Sequence, residues 1–416
     1  MTVTTEVVVI GLGAMGAAAL YQLGRRGVRA VGIDRFAPPH SLGSSHGETR
    51  MTRQAAGEGA AYAPLVLRSH AIWRDLEAAT GARLLVACGG VMIGPMHRSS
   101  SHHGKPDFLR TTTAVARQFA IPHEVLTRDE LIHRFPQFTN LAPDDVGYYE
   151  PGAGFLHPEA CIAAQLTEAG RLGARTLLDT RVTAIVQRND TVLVETTAGP
   201  VQAARAIVTA GAWTEGLLGP PFDRLLRVTR QVLHWFAPDD PGTFQTGRCP
   251  VFIRMHGAGD SDYFYGFPIP EGGSGVKIAT EQYDTATNAE EANRAVDPDE
   301  ATWMHATHIA GRLAGITPRT LRSEACLYTN TPDSGFVIDT HPAMPRVLVV
   351  SACSGHGFKH SAAIGEAAAE QATTGGTTID LAGFRLDRFD NALFTPPTGR
   401  GRREVTGEGA ATGTSA

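Results

Sequence analysis

Three glycines and an aspartate carry the first chemistry legible in this chain. Gly11, Gly13 and Gly16 are spaced as GxGxxG, and Asp34 follows roughly 20 residues on. Gly11 permits a tight turn, Gly13 lets backbone approach a pyrophosphate, and Gly16 lets a helix pack on a strand. The start of that helix offers amide donors and partial positive charge to phosphates. Asp34 can accept hydrogen bonds from a ribose. The motif therefore predicts a dinucleotide site, and by itself it does not choose between FAD and a nicotinamide cofactor.

The elements needed to position this motif are present. EVVVI (Glu6–Ile10) reads as a β-branched strand, GLGAMG as the turn, and Ala14–Arg26 as an Ala-rich amphipathic helix closed by Gly27. Val28–Ile33 is a second strand ending on Asp34. Pro38–Pro39 and a Gly/Ser/His-rich loop then interrupt the pattern before a helix at about Pro64–Thr80. HPEACIAAQLTEAGRLGA predicts another amphipathic helix, followed by strand-like runs at Val182–Val186, Val192–Thr196 and Ala206–Thr209. Between about 225 and 320 aromatic and β-branched residues alternate (VLHWFA, DYFYGFPI, VKIAT), as in a mixed or antiparallel sheet. VLVVSA returns to a buried-strand pattern and leads into GHGFKHSAAIGEAAAEQ, a loop running into a helix.

This interleaving predicts an α/β chain in which a Rossmann-type domain is discontinuous and a second, α+β domain is inserted in two pieces. The expected dinucleotide-binding segments are 1–85, 155–222 and 320–390, with the substrate domain at 86–154 and 223–319. Residues 395–416 are Gly/Thr/Arg-rich without periodicity and are expected to be a disordered tail.

Composition narrows the class further. Apolar residues make up 42% and charged residues 19% of the 416, and the formal net charge is −5. That balance gives no broad basic field for nucleic acid or an anionic membrane. No apolar run is long enough for a membrane span. The early strand leaves no room for a signal peptide, and five scattered cysteines form neither a disulfide framework nor a CxxC site. A cytoplasmic, small-molecule enzyme is the expectation.

Beyond Asp34 come PPHSLGSSHGETRMTRQAAGEG, YGFP with a lysine twelve residues further on, CLYTNTPDSGFVID, and SGHGFK. In this order they resemble the monomeric sarcosine oxidase and N-methyltryptophan oxidase family of flavoproteins, over roughly residues 5–385. The resemblance implies FAD, attached by a thioether from Cys326 to the flavin 8α-methyl. Taken alone, Cys326 would be a small buried core residue, as Cys353 is expected to be. Met15, Arg35, Ser44, Gly355 and Gly357 join the glycines, Asp34, Cys326 and Lys359 in the implied cofactor set. The loop Gly355–Gly357 before a helix would place a dipole end at the flavin pyrimidine oxygen.

The reaction implied is oxidation of a secondary amino acid at a C–N bond. A hydride equivalent passes to the flavin, an imine forms, and O2 is reduced to hydrogen peroxide. By resemblance, His46 and Arg50 lie close to flavin and substrate, and Arg53 and Lys359 hold the substrate carboxylate. A guanidinium fork and a point charge suit that task; the alternative is that Arg50 and Arg53 pair with surface acids such as Glu48 and Glu58. Lys277 matches the lysine that assists oxygen activation, and Tyr265 and Tyr328 match aromatic positions lining the pocket. Cations around the pocket favour the neutral amine, whose lone pair stabilises the incipient iminium.

One departure stands out. The sarcosine oxidases place a histidine four residues after the lysine, where this chain has Glu281. That carboxylate could pair with Lys277, or with a cationic substrate group, and it leaves the choice among sarcosine, larger N-methyl amino acids and cyclic amines open. The alternatives are a flavin dehydrogenase with a non-oxygen acceptor, an oxidase of pipecolate or proline, a nicotinamide enzyme and a non-catalytic binding protein. The family weakly favours a monomer.

Overall fold

The apolar run at the start of the chain becomes the strand Val3–Ile10, with Val8 and Val9 fully buried. A computed structural model describes residues 2–96, 101–102 and 105–389; the expected tail at 395–416 lies outside the described residues. Val3–Ile10 pairs in parallel with Ala30–Ile33 on one side and Val201–Val208 on the other. Met344–Ser351 continues the parallel order beyond Val201–Val208, and Arg175–Leu177 pairs with Ala30–Ile33. Strands covered on both faces need apolar residues at consecutive positions, which is why VVVI and VLVVS show no alternation.

The helices Ala14–Arg25 and Ser361–Thr374 pack closely against each other in this half. Their small residues make that possible: a Cβ on Gly365 would stand 2.3 Å from the Ala18 Cβ. Strands and helices start and stop within a few residues of the expected limits.

A second sheet holds the aromatic segments. Asp145–Glu150, Gly90–Pro95, Val251–Met255, Tyr263–Phe267, Val276–Ala279 and Arg227–Pro238 follow one another in pairing, with Val251–Met255 parallel to Gly90–Pro95 in an otherwise antiparallel arrangement. The long strand Ile316–Asn330 pairs along Arg227–Pro238 and sets Cys326 opposite Gln231 and Tyr328 opposite Thr229. Residues 320–330, expected with the dinucleotide-binding segments, thus belong by backbone pairing to the second sheet. A small third sheet joins Arg50–Thr52 to Gly154–Leu156 and Leu85–Val86. Arg50 opens its strand Arg50–Thr52. Among the described residues no helix is long and apolar enough to cross a membrane.

Candidate active site

At the glycine turn the backbone is crowded beneath and open above. Gly11 has φ +90°, and a Cβ on Gly16 would stand 1.7 Å from the Gly11 carbonyl oxygen. Around Gly13 nothing lies within 4 Å of the missing Cβ. Among the described residues no side chain caps the helix that starts at Ala14, and its first turn carries no acid. Its leading amides therefore face an anion-sized opening. Asp34 stands beside it, accepting from the Leu12 amide at 2.6 Å and the Phe36 amide at 2.8 Å. A carboxylate has about four lone-pair positions, so a ribose hydroxyl can still be received.

These groups form one end of a cavity of about 760 Å³, reached also by Met15, Arg35, Ser44, Gly355 and Gly357. Backbone donors at one end, a buried acid beside them and apolar walls fit FAD. Gly16 lies beneath the cavity, and a Cβ on Gly357 would meet the Ala352 carbonyl at 1.7 Å. Cys353, expected in the core, is only partly buried and lines this cavity, because the strand Met344–Ser351 has already ended there.

A second cavity, of about 80 Å³, adjoins the first. Arg50, Tyr328, Gly355 and Phe358 line both, which marks the junction. Arg53, Tyr265, Lys277, Glu281, Cys326 and Lys359 belong to the smaller one. Eight of the residues expected around the substrate or the flavin (Arg50, Arg53, Tyr265, Lys277, Cys326, Tyr328, Gly355 and Lys359) thus meet there, although they come from four separate stretches of chain. His46 lines neither cavity and stands behind Cys326.

Arg53 and Lys359 converge on Glu58. Lys359 Nζ donates to Glu58 Oε1 at 2.9 Å, Arg53 Nη2 to the same oxygen at 3.1 Å, and the Glu58 side chain is fully buried. Pairing of Arg53 with Glu58 was the alternative to a functional role, but this pair is buried on the cavity wall and not on the surface. Lys359 has three donors and Arg53 five, so both can keep Glu58 and still receive a second carboxylate. Glu150 fixes the backbone beside them by accepting from the Gln54 amide at 2.6 Å and the Ala55 amide at 3.1 Å. Burial lowers the Lys359 ammonium most, Glu58 restores part of that, and the result is about 8.

Arg50 donates to the Ser44 carbonyl at 2.8 Å and the Thr49 carbonyl at 2.9 Å, and its Nη2 is 3.8 Å from the Cys326 sulfur. The suggested surface partner Glu48 binds Arg322 instead, at 2.6 Å. His46 lies beside the same sulfur. Burial disfavours the charged imidazole, but Cys326 and Glu324 raise it to about 9. Burial likewise disfavours the Cys326 thiolate, and His46 and Arg50 outweigh it, so the thiol is held below its ordinary value.

Lys277 and Glu281 find different partners. Lys277 Nζ donates to the carbonyls of Gly47 at 2.9 Å and Thr49 at 2.5 Å, and sits 4.0 Å from the Phe267 ring centre. Glu281 lies past the end of the strand Val276–Ala279 and accepts from the hydroxyls of Tyr263 and Tyr283. Burial, and then the nearby Arg50 charge, push the Lys277 ammonium well below its usual range. Glu150 and Glu324 are partners that sequence reasoning did not name; Glu58 entered it only as an alternative surface partner of the arginines.

A family model described as FAD dependent oxidoreductase matches residues 6–371. The monomeric sarcosine oxidase of Streptomyces avermitilis is 37% identical over 392 residues, covering 92% of this chain and 97% of that protein. The N-methyl-L-tryptophan oxidase of Yersinia pestis is 35% identical over 390 residues, covering 92% and 99%. Among solved structures, NikD, an unusual amino acid oxidase, superposes with a TM-score of 0.77 at 23% identity, covering 95% of this chain and 98% of NikD. At that identity the likeness bears on the fold alone.

Proposed function

Starting from a chain that belongs to the FAD dependent oxidoreductase family, we propose that it is an oxidase of compact secondary amino acids, N-methylated or cyclic, with O2 as acceptor. The observation that carries this reading is the pair Arg53 and Lys359, buried together on the wall of a small cavity that adjoins the dinucleotide cavity. The cysteinyl tether at Cys326, release of hydrogen peroxide, a monomeric state and a cytoplasmic location belong to the same reading. None of the five cysteines is paired in a disulfide, in keeping with a reducing compartment.

FAD supplies the two-electron acceptor for this chemistry. Around it, Arg53 and Lys359 hold the substrate carboxylate and so fix which carbon faces the cavity junction. Arg50 and Lys277 set positive potential on that side, which disfavours the substrate ammonium and leaves the amine lone pair free. Ile253, Phe267 and Leu233 supply apolar wall that limits water. The products are an imine, which water converts to an aldehyde and an amine, and hydrogen peroxide.

Cavity size limits the substrate. At roughly 10–15 Å³ per water-sized occupant, about 80 Å³ suits sarcosine or proline better than a substrate bearing an indole ring. A panel of sarcosine, proline, pipecolate, N-methyl tryptophan and carboxylate-free amines, read by peroxide release, tests this. Turnover of the small amino acids should lead. A panel in which carboxylate-free amines match them, or in which flavin is bleached without peroxide in air, would overturn it.

The clamp also predicts a pH dependence. Lys359 is protonated below about 8 and loses its charge as pH rises through that value. An unreactive carboxylic acid, titrated by the change in flavin absorbance, should therefore bind progressively more weakly above pH 8. Binding that stays constant from pH 7 to 10 would remove Lys359 from the clamp.

A further inference from the structure

The clamp arginine sits beside backbone that a second buried acid holds in place. Arg53 directly follows the short strand Arg50–Thr52. The next two amides donate to the Glu150 carboxylate, Gln54 to Oε1 at 2.6 Å and Ala55 to Oε2 at 3.1 Å. The Tyr148 hydroxyl adds a third bond, to Oε2 at 3.0 Å. Arg53 Nη1 in turn donates to the Ala55 carbonyl at 3.0 Å. Glu150 therefore reaches the guanidinium through one residue: the Ala55 amide is held by the carboxylate, and the Ala55 carbonyl holds the arginine.

These three groups are all donors and they use both carboxylate oxygens, an arrangement that a side-chain amide cannot copy. Glu150 is 1% exposed. Burial raises its carboxyl, and the two amides, the phenol and then the Arg53 charge oppose that. The acid also joins two layers. It ends the strand Asp145–Glu150 of the second sheet, opposite Gly90, whereas Arg53 follows a strand of the small third sheet.

Packing does not fix Arg53 from every side. A chamber of about 10 Å³, enough for one water-sized group, is lined by Met51, Arg53, Tyr148 and Glu150 among others. Met51 and Arg53 line the substrate cavity as well. The guanidinium thus has room to shift unless its backbone is held.

We propose that Glu150 is a positioning residue for the substrate carboxylate. It sets the Gln54–Ala55 backbone and, through Ala55, the reach of Arg53 into the cavity. The proposal rests on the clamp described above, in which Arg53 and Lys359 hold the substrate. Glu58 touches both of those cations directly; Glu150 acts on Arg53 by way of the main chain.

The test uses full-length, flavin-loaded protein: wild type, Glu150→Gln, Glu150→Asp, Tyr148→Phe, Arg53→Ala and the double variant Arg53→Ala/Glu150→Gln. The probe is methoxyacetate, which is sarcosine with oxygen in place of nitrogen and cannot form an imine. Its binding is read from the flavin absorbance. Turnover of sarcosine and of dimethylamine is followed by peroxide release.

Glu150→Gln should bind methoxyacetate about tenfold more weakly, since a small misplacement of a clamp group is costly. KM for sarcosine should rise in proportion, with a smaller change in kcat, and kcat/KM for dimethylamine should stay the same. Glu150→Asp keeps the charge but withdraws it by one carbon, so its affinity should fall between the two. Tyr148→Phe leaves both amides held and should bind within about twofold of wild type. Once Arg53 is alanine, adding Glu150→Gln should cost nothing further, because the two act as one unit.

Wild-type affinity in Glu150→Gln or Glu150→Asp would sink the proposal. So would equal losses on sarcosine and dimethylamine, a further loss in the double variant, or a Tyr148→Phe protein as weak as Glu150→Gln, since each reports general loosening. An Arg53→Ala protein that binds methoxyacetate like wild type overturns the clamp itself, a failure visible without any change at Glu150.

Discussion

Arg53→Ala is expected to raise KM for amino-acid substrates roughly thirtyfold or more, because truncating one member of a buried charge pair costs about 2–5 kcal/mol. The carboxylate would then be held by Lys359 alone. Carboxylate-free amines never engage the clamp, so their smaller kcat/KM should change little. The ratio of the two effects, from initial rates of peroxide release, is the quantity to measure. A second effect accompanies it. Glu58 is fully buried and meets Arg53 at 3.1 Å as well as Lys359 at 2.9 Å, so Arg53→Ala also leaves that acid under-paired, at a cost of about 3–5 kcal/mol in stability. Thermal denaturation separates this loss from the kinetic one. Arg53→Lys keeps the charge but not the two-pronged geometry, and its KM should fall between wild type and alanine. Equal losses on acids and carboxylate-free amines would mean that Arg53 only supports the fold.

The same residues explain what was legible beforehand. GxGxxG and Asp34 could be read because their constraint is local: strand, turn and helix are contiguous, and Gly16 is needed by the backbone of Gly11, five residues away. The second sheet could be recognised as a sheet, but not its strand partners. Ile316–Asn330 adds to Arg227–Pro238 across about ninety positions of chain, and no periodicity within either strand names the other. The segment 320–330, expected with the dinucleotide-binding segments, therefore pairs with a strand that its own pattern does not indicate.

The site follows the same division. Motif order suggested Arg53, Lys277, Cys326 and Lys359, whereas their partners come from pairing at long range. Glu58 meets Lys359 across 301 positions and Glu324 meets His46 across 278. Acids of that kind look like ordinary surface carboxylates in a sequence, because burial decides their meaning and burial is a property of the fold. Glu281 illustrates the point in reverse. Four residues from Lys277, it suggested a pair, yet the strand ends at Ala279 and delivers the two side chains to different neighbours.

That separation sharpens the expectation for Lys277→Met, in which reduction of the flavin by substrate should proceed nearly as in wild type while reoxidation by O2 slows by about 10²–10³. The first electron transferred to O2 creates negative charge in a site closed to water, where a cation is worth far more than in solvent. Lys277 is 2% exposed and lies against Phe267 and Trp235, so methionine fills its volume and removes only the charge and the donors. The carbonyls of Gly47 and Thr49 each lose one donor but keep another, the Thr49 amide at 2.8 Å and Arg50 at 2.9 Å, so the stability cost stays near the roughly 1 kcal/mol of an ordinary hydrogen bond for each. The sign of the pH effect follows from the same burial. Lys277 is held well below its ordinary value, so its charge is present at low pH and is lost as pH rises through the lowered value; reoxidation of wild type should slow over that range, and that of Lys277→Met should be flat. Stopped-flow mixing of anaerobically reduced protein with oxygenated buffer reads both. An unchanged oxygen rate in the methionine variant, with substrate reduction impaired instead, would move Lys277 from the oxygen step to the binding of the amine.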